Sequence, residues 1–379
     1  MAQRHLDPTD RPTAEVVTAH ALEGYLRAQA TEFLRALRLH RVTGGSSAGG
    51  ADGAVDAARA LRRSARRISG SLHTFRPLLD PGWAEEMRPE LAWLSDTLGL
   101  EHAYESRLER LLLALHRLSG AAVFPAQAVT AAAVAAADPG AAGRAGGAAP
   151  VPPRAAPDHG GGPPVPAPAP ERGNLTVGAA KAGALLERQL TLARTRAHST
   201  ALQALGSARF HAVADKVAVL ASEVPLTPAA ATTDPSPLAA AARERLTDAV
   251  AALPLITAGR PYNAEALVHG LSPGPSPHPQ DGPWHQVRLL LRLHRYAREA
   301  LYADGAPVDV RLVAAGQALD RHRDAAEAAG AAAQAARTPR IAPATAYALG
   351  VLHADQRHEV EAARFAFQRA WQKQTVDVP

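Results

Sequence analysis

Cysteine is absent from the 379-residue chain, which excludes disulfide bonds and thiolate metal sites. Aromatic residues supply only 4% of the sequence, although apolar residues make up 47% of it. Alanine and leucine dominate the apolar fraction. Both residues favour helices, whereas strands favour β-branched and aromatic residues. The composition therefore predicts an all-α fold.

Long uninterrupted apolar segments are missing as well. No stretch of the sequence reaches the length that a membrane-spanning helix needs. The first residues, MAQRHLDPTDRP, lack the apolar core of a secretory signal peptide. These two observations predict a cytoplasmic protein that has no membrane partner.

Lysine is scarce as a source of positive charge. It occurs only at Lys181, Lys216 and Lys373, although Lys and Arg together number 41 and the net charge is +5. The planar guanidinium of arginine can bind two phosphate oxygens at once, which the ammonium of lysine cannot. A GC-rich genome produces the same arginine bias without functional meaning, so the positions of the arginines are more informative than their number.

A low-complexity tract separates two helical blocks. Residues 131–175 are rich in Ala, Pro and Gly and cannot bury enough apolar surface to fold, which predicts a long disordered linker. We assign residues 14–130 to an N-terminal helical half and residues 176–375 to a C-terminal helical half. Periodicity and turn signals predict helices at 14–41, 53–78, 82–98, 101–118, 177–204, 206–223, 236–253, 284–303, 307–337 and 343–373.

The segment from Arg59 to Arg76 predicts an amphipathic helix that contains no carboxylate. A solvated helix face usually mixes charges of both signs, because pairs at i and i+4 then stabilise the helix. Like charges at this spacing repel, which favours an anionic ligand. The polar face presents Arg59, Arg62, Arg66, Ser69 and His73, flanked by Arg63 and Arg67, while Leu61, Ala65, Ile68, Leu72 and Phe75 lie away from it.

A second helix repeats this polar spacing. In the segment WHQVRLLLRLHRYAREAL, one face presents His285, Arg288, Arg292 and Arg295, with the offsets of the first stripe. A shared template in separate blocks indicates an internal duplication and predicts two pseudo-symmetric halves. One such stripe alone is more often a plain solvated face. The two stripes together favour binding of a polyanion.

The chain resembles the CHAD (conserved histidine α-helical) domain family. Four segments in this order carry the resemblance: LRRSARRISGSLHTFRPLLD, ELAWLSDTLG, WHQVRLLLRLHRYAREAL and YALGVLHADQRHEVEAARFAFQRAW. The resemblance implies one CHAD-type domain that is built from two pseudo-symmetric helical bundles and binds inorganic polyphosphate. The positions that match basic or polar motif positions are Arg62, Arg66, Arg67, His285, Arg288, Arg292, Arg295, Tyr296, His322 and Asp324.

The stripes and the resemblance together define one candidate polyphosphate site. Its residues are Arg59, Arg62, Arg63, Arg66, Arg67, His73, His285, Arg288, Arg292, Arg295, Tyr296 and His322. Several positions depart from the family pattern and thin the basic surface, which supports the alternative of a helical scaffold or protein-interaction module with a decayed polyanion site. These positions are Arg59, in place of the usual first histidine, and Ser69, His102, Ala103, Glu105, Leu289 and Leu293.

Motifs of known enzyme and metal sites are missing from the sequence. It contains no H-x-x-x-H or H-E-x-x-H pair, no G-x-S-x-G elbow and no G-x-x-x-x-G-K-[ST] loop. We therefore predict no catalytic residues, no metal and no cofactor. The expected partner is inorganic polyphosphate or another polyanion, in association with polyphosphate granules. Nucleic-acid binding is a further alternative, which the scarcity of stacking aromatics disfavours.

Overall fold

The computed structural model describes residues 19–43, 50–120, 172–260, 263–271, 278–302 and 309–372. Over these ranges the regular structure is helical, apart from an isolated antiparallel bridge between Leu79 and Leu226. The prediction of an all-α fold is confirmed. The helices are α1 (Ala19–Thr43), α2 (Gly50–Thr74), α3 (Pro81–Ser119), α4 (Arg172–Leu205), α5 (Ala208–Ser222), α6 (Ser236–Ala251), α7 (Leu255–Ala258), α8 (Ala264–Gly270), α9 (Gly282–Tyr302), α10 (Val310–Ala336) and α11 (Pro343–Gln372).

Helix α3 replaces two predicted helices, which is a correction to the sequence analysis. The Asp80 side chain caps its first turn by accepting from the Trp83 backbone N–H at 2.7 Å. Gly99, near the predicted break, lies inside the helix and is buried. A Cβ added there would lie 2.8 Å from Cζ of Arg62. This glycine therefore allows an arginine to approach the helix, and it does not end the helix.

The predicted linker overlaps the described part of the chain only at its C-terminal end. Helix α4 begins at Arg172, so residues 172–175 are helical although the composition assigns them to the linker. Residues 131–171 lie outside the described residues, as do 14–18, 121–130 and 373–375 of the two predicted halves. The short helices α7 and α8 have no counterpart among the predicted elements.

Three clusters of buried apolar side chains hold the helices together. The first joins α1, α2 and the start of α3 to α5 and the end of α9, and it includes the fully buried rings of Phe33 and Phe210. The second joins the end of α3, at Leu111, to α4, α10 and α11. The third surrounds Trp284 and Phe367. Because two clusters mix helices from both sides of residues 131–175, the packing does not divide the chain at the predicted linker.

Helices α2 and α9, which carry the two arginine stripes, pack against each other through Gly70. A Cβ added at Gly70 would lie 2.6 Å from Cδ2 of Tyr296 and 3.3 Å from Cδ2 of Leu293. The ring of Tyr296 is 4% exposed and fills the space that this glycine leaves. The close approach brings the two stripes side by side.

Candidate functional site

Arginine side chains from both stripes meet in one groove, which we call the arginine groove. It has two lobes with volumes of about 520 Å³ and 680 Å³. Both lobes are lined by Arg62 and Arg66 of α2 and by Arg288 and Arg292 of α9. The stripes that periodicity predicts in separate blocks therefore converge in space.

Helix α10 forms one wall of the arginine groove. The first lobe contacts it from Leu312 to Asp320, and the second lobe contacts it from Arg323 to Glu327. At 1.5 Å per residue, these fifteen steps correspond to roughly 22 Å of groove. The first lobe adds Arg59, Arg63, Arg67, Arg295 and Tyr296, and the second adds Asp96, Gly99, Leu100, His102, Ala103, Ser106, Arg107 and Arg110 from α3.

Three arginines at the centre of the groove have no counter-ion among the described residues. In the part of the chain that the structure describes, no carboxylate oxygen lies within 4 Å of the guanidinium nitrogens of Arg62, Arg66 or Arg292, whereas Arg288 has such a partner. Arg66 donates from Nε to Oγ of Ser95 at 2.9 Å. Nε of Arg62 is buried and has no hydrogen-bond partner among the described residues. We call these three residues the unpaired arginines.

The unpaired arginines occupy an electrostatically unfavourable place. Burial, followed by the charges of neighbouring arginines, lowers the pKa of all three guanidiniums. The pKa of Arg66 and the pKa of Arg292 fall to about 10. All three groups therefore stay charged at neutral pH while they repel one another. An anion that enters the groove would relieve this repulsion.

Carboxylates hold other arginines of the first lobe. Asp320 accepts from Nε of Arg288 at 2.6 Å and lies 2.6 Å from its Nη2. Glu299 accepts from Nε of Arg67 at 2.8 Å and lies 3.3 Å from Nε of Arg295. The first lobe is therefore partly neutralised by the protein itself.

The second lobe contains three arginines that the sequence analysis missed. Arg107 donates to Glu327 at 2.6 Å, and Arg323 donates from Nε to Asp324 at 2.9 Å. Arg110 donates to the amide oxygen of Gln356 at 2.6 Å. In the sequence, Arg107 and Arg110 alternate with Glu105 and Glu109. This mixture of signs is typical of a solvated helix face, so no local signal marks these arginines as groove residues.

The structure places three predicted site residues, all histidines, outside the groove lining. His73 lies on the surface; partial burial of its ring, followed by the charges of Arg88, Arg245 and Arg76, lowers its pKa. His322 is only 1% exposed, so it cannot contact a ligand in the groove. His285 packs with its ring edge against His322 at a centroid distance of 5.5 Å. These three histidines therefore do not line the arginine groove, whereas the other predicted site residues do.

His322 belongs to a buried polar cluster that joins α9, α10 and α11. Asp281 accepts from Arg357 at 2.8 Å and 3.2 Å and from Arg364 at 2.7 Å. Nε2 of His322 lies 3.3 Å from Nε of Arg364, and its ring stacks on Trp284. Burial and the charge of Arg364 lower the pKa of His322 to about 3, so the imidazole is neutral at pH 7. This cluster stabilises the helices that carry the groove.

Tyr296 lines the first lobe as a support for the arginines. Cζ of Arg295 lies 5.3 Å from the centroid of its ring, and Cζ of Arg67 lies 6.0 Å from it. Because the residue is 4% exposed, its ring offers no free face on which a base would stack.

The described ranges contain neither a cluster of metal ligands nor a membrane-spanning helix. Those residues contain no group of three or more His, Cys, Asp or Glu side chains that is arranged to hold a metal ion. None of the helices there combines the length and the apolar character that crossing a bilayer requires.

Comparisons with known proteins give a family and two similar structures. The model of the CHAD domain matches residues 25–333. The structure described as "PptA from Streptomyces chartreusis" is 64% identical, with a TM-score of 0.70, and the match covers 94% of this chain and 99% of that chain. The crystal structure of the CHAD domain from the plant Ricinus communis is 16% identical, with a TM-score of 0.44 and coverage of 93% and 92%. No curated protein matches the chain.

Proposed function

The chain belongs to the CHAD domain family, which is linked in general to polyphosphate binding, and from this premise we propose that its arginine groove binds linear inorganic polyphosphate. The observation that carries the proposal is the group of unpaired arginines. Three half-buried guanidiniums without a carboxylate destabilise the ligand-free protein, and successive phosphates would supply the missing negative charge.

Affinity in this proposal comes from charge neutralisation. Guanidiniums bind phosphate oxygens with two parallel hydrogen bonds, and these bonds are stronger where water is partly excluded. Counterions leave the polyphosphate as it binds, so the affinity should fall steeply as salt rises. The groove length of roughly 22 Å along α10 accommodates several phosphates of one chain.

The proposal is for binding without chemical conversion of the ligand. Polyphosphate incubated with the protein should therefore keep its chain length on a denaturing gel, and shortening of the chain would contradict this part of the proposal.

In cells we propose a cytoplasmic protein associated with polyphosphate granules. A fluorescent fusion that stays diffuse in granule-containing cells would count against that location.

The direct test is retention of long-chain polyphosphate by the purified protein at two salt concentrations. We expect salt-sensitive retention by the wild-type chain. Retention should be lost in a variant that replaces the unpaired arginines, R62Q, R66Q and R292Q combined, because glutamine keeps a polar, hydrogen-bonding side chain but removes the positive charge. The proposal fails if the wild-type chain shows no retention at low ionic strength.

A matched control separates groove binding from the effect of net charge. The variant R35Q, R196Q and R340Q also removes three positive charges, and these three arginines are exposed and outside the groove lining. This control should bind polyphosphate nearly as tightly as the wild-type chain. Equal losses in both variants would mean that binding follows the overall charge.

The same experiments also test two alternative functions, a helical scaffold and a nucleic-acid binder. The ion pairs of Arg288 with Asp320 and of Arg67 with Glu299 support a scaffold whose polyanion site has decayed. A protein partner that is captured equally by the wild-type chain and by the groove variant would favour the scaffold. Nucleic-acid binding predicts that RNA displaces polyphosphate at comparable concentration. The buried ring of Tyr296 disfavours that outcome.

A further inference from the structure

Asp320 supplies the carboxylate of the first lobe. It lies on α10 opposite the arginine stripe of α9, and among the described residues that line this lobe no other side chain is acidic. Its side chain is 56% exposed, whereas the side chain of its partner Arg288 is 18% exposed. An exposed anion therefore covers a largely buried cation at the edge of the proposed binding site.

The contact occupies the part of Arg288 that a phosphate would need. One oxygen of Asp320 lies 2.6 Å from both Nε and Nη2 of Arg288. These two nitrogens form an edge of the guanidinium that can donate two parallel hydrogen bonds to phosphate oxygens. Asp320 also stabilises the charged forms of Arg292 and Arg323 electrostatically. It therefore reduces the positive potential at several arginines of the groove.

Glu299, which pairs with two other arginines of the first lobe, is held more firmly than Asp320. It accepts from Arg67 and from the hydroxyl of Tyr25 at 3.3 Å, it lies 3.3 Å from Arg295, and its side chain is 29% exposed. In the described part of the chain, Arg288 is the sole hydrogen-bond donor to the side chain of Asp320. Asp320 can therefore turn towards solvent without leaving another donor unpaired.

We propose that Asp320 is an internal counter-ion that competes with polyphosphate for Arg288 and thereby limits the affinity of the groove. This inference rests on the proposed function. When the ligand binds, a phosphate takes the Nε–Nη2 edge of Arg288 and the carboxylate moves into solvent. The ligand gains contacts to Arg288 only by displacing an existing ion pair, and repulsion between Asp320 and the phosphates weakens the complex further.

The test compares D320N with E90Q in polyphosphate titrations at several salt concentrations. Glu90 accepts from Nε and Nη2 of Arg209 at 2.6 Å and 3.1 Å, outside the groove, so E90Q removes one negative charge from a similar pair. We expect D320N to bind about fivefold more tightly at low salt, the size of effect typical of a partly exposed ion pair. For D320N, the slope of log affinity against log salt concentration should become more negative by up to about one, because one more guanidinium is free to bind a phosphate. E90Q should change the affinity by less than about twofold.

A double variant tests how Asp320 acts. When D320N is added to a chain that already carries R288A, the gain in polyphosphate affinity should be mostly lost, because the competition for Arg288 no longer exists. Persistence of the full effect in R288A would overturn the inference. So would unchanged or weaker binding by D320N, which would mean that Asp320 only positions Arg288 or takes no part.

The same titrations distinguish failure of this inference from failure of the proposed function. If the wild-type chain binds polyphosphate but D320N binds no more tightly, the inference alone is wrong. If the wild-type chain shows no binding and D320N acquires it, the proposed function fails for the natural sequence and the competition by Asp320 is supported. If neither chain binds at low salt, both are wrong. Circular dichroism establishes that each variant is folded.

Discussion

Replacement of Arg292 by methionine is expected to stabilise the ligand-free protein and to weaken polyphosphate binding. Burial and the charges of Arg288 and Arg66 lower the pKa of Arg292 well below the ordinary value of an arginine, to about 10. At about 1.36 kcal/mol for each pKa unit, the charged form costs roughly 3 kcal/mol in the folded state. The cost is fully present at neutral pH and declines only as the pH rises above about 10, towards the higher pKa of the unfolded chain.

Methionine keeps most of the apolar stem and removes the charge. Solvent still reaches part of the Arg292 side chain, so the expected gain in the free energy of unfolding is smaller than the full cost, about 1–2 kcal/mol. Urea unfolding followed by circular dichroism measures it. The control R196M removes an exposed arginine and should change the free energy of unfolding by less than about 0.5 kcal/mol.

The second measurement of this test is the stabilisation of each chain by polyphosphate. Polyphosphate at about one hundred times its dissociation constant should stabilise the wild-type chain by about 2.7 kcal/mol. R292M should gain clearly less from the same concentration, because one of the unpaired arginines is gone. The reasoning is refuted if R292M is less stable than the wild-type chain without ligand, or if polyphosphate stabilises both chains equally.

Three other substitutions test the arginine groove and the buried polar cluster around Asp281 and His322 separately. Gly99→Ala should raise the free energy of unfolding by up to about 1 kcal/mol in urea titrations, because alanine favours the helix. It should also weaken polyphosphate retention, because the new Cβ displaces the Arg62 guanidinium that lies 2.8 Å away; unchanged retention would show that this guanidinium position is not needed. Asp281→Asn should destabilise the protein by about 3 kcal/mol in the same assay, because it leaves the buried Arg357 without a carboxylate among the described residues and leaves Arg364 paired with Glu361 alone. Finally, the free energy of unfolding should decline as the pH falls from 6.5 towards 3, because His322 binds a proton in the unfolded chain but stays neutral when it is buried in the folded chain. His322→Gln should flatten that decline by up to about 1.36 kcal/mol per pH unit, and an unchanged pH profile would show that His322 is not its source.

Local patterns in the sequence predicted the helices that carry the stripes. The spacing of Arg62 and Arg66 against Leu61 and Ile68 reports which side of α2 is buried, because an α-helix turns by a constant angle per residue. Composition predicted the all-α fold for a similar reason, since helix propensity belongs to each residue. The predicted break between residues 98 and 101 was wrong, because α3 continues through Gly99 and the sequence alone does not show that this glycine makes room for the Arg62 side chain.

The pairing of charges could not be predicted in this way. The partner of Arg67 is Glu299, 232 residues later, and the partner of Arg107 is Glu327, 220 residues later. No periodicity links such positions. The same limit explains His322, which a polar segment of sequence places on a surface and which the packing of α9 and α11 buries.

By itself, the sequence determined that the chain is helical, that two of its helices carry matching arginine stripes, and that the segment from Arg59 to Arg76 contains no carboxylate. Only the tertiary structure decided that the stripes face one groove, and that Arg62, Arg66 and Arg292 stay unpaired there while Asp320 covers Arg288. The physical reason is the separation along the chain over which each interaction acts. Helix formation and amphipathicity depend on neighbours within a few residues, whereas the electrostatic environment of a guanidinium depends on every charge that folding brings within a few ångströms of it.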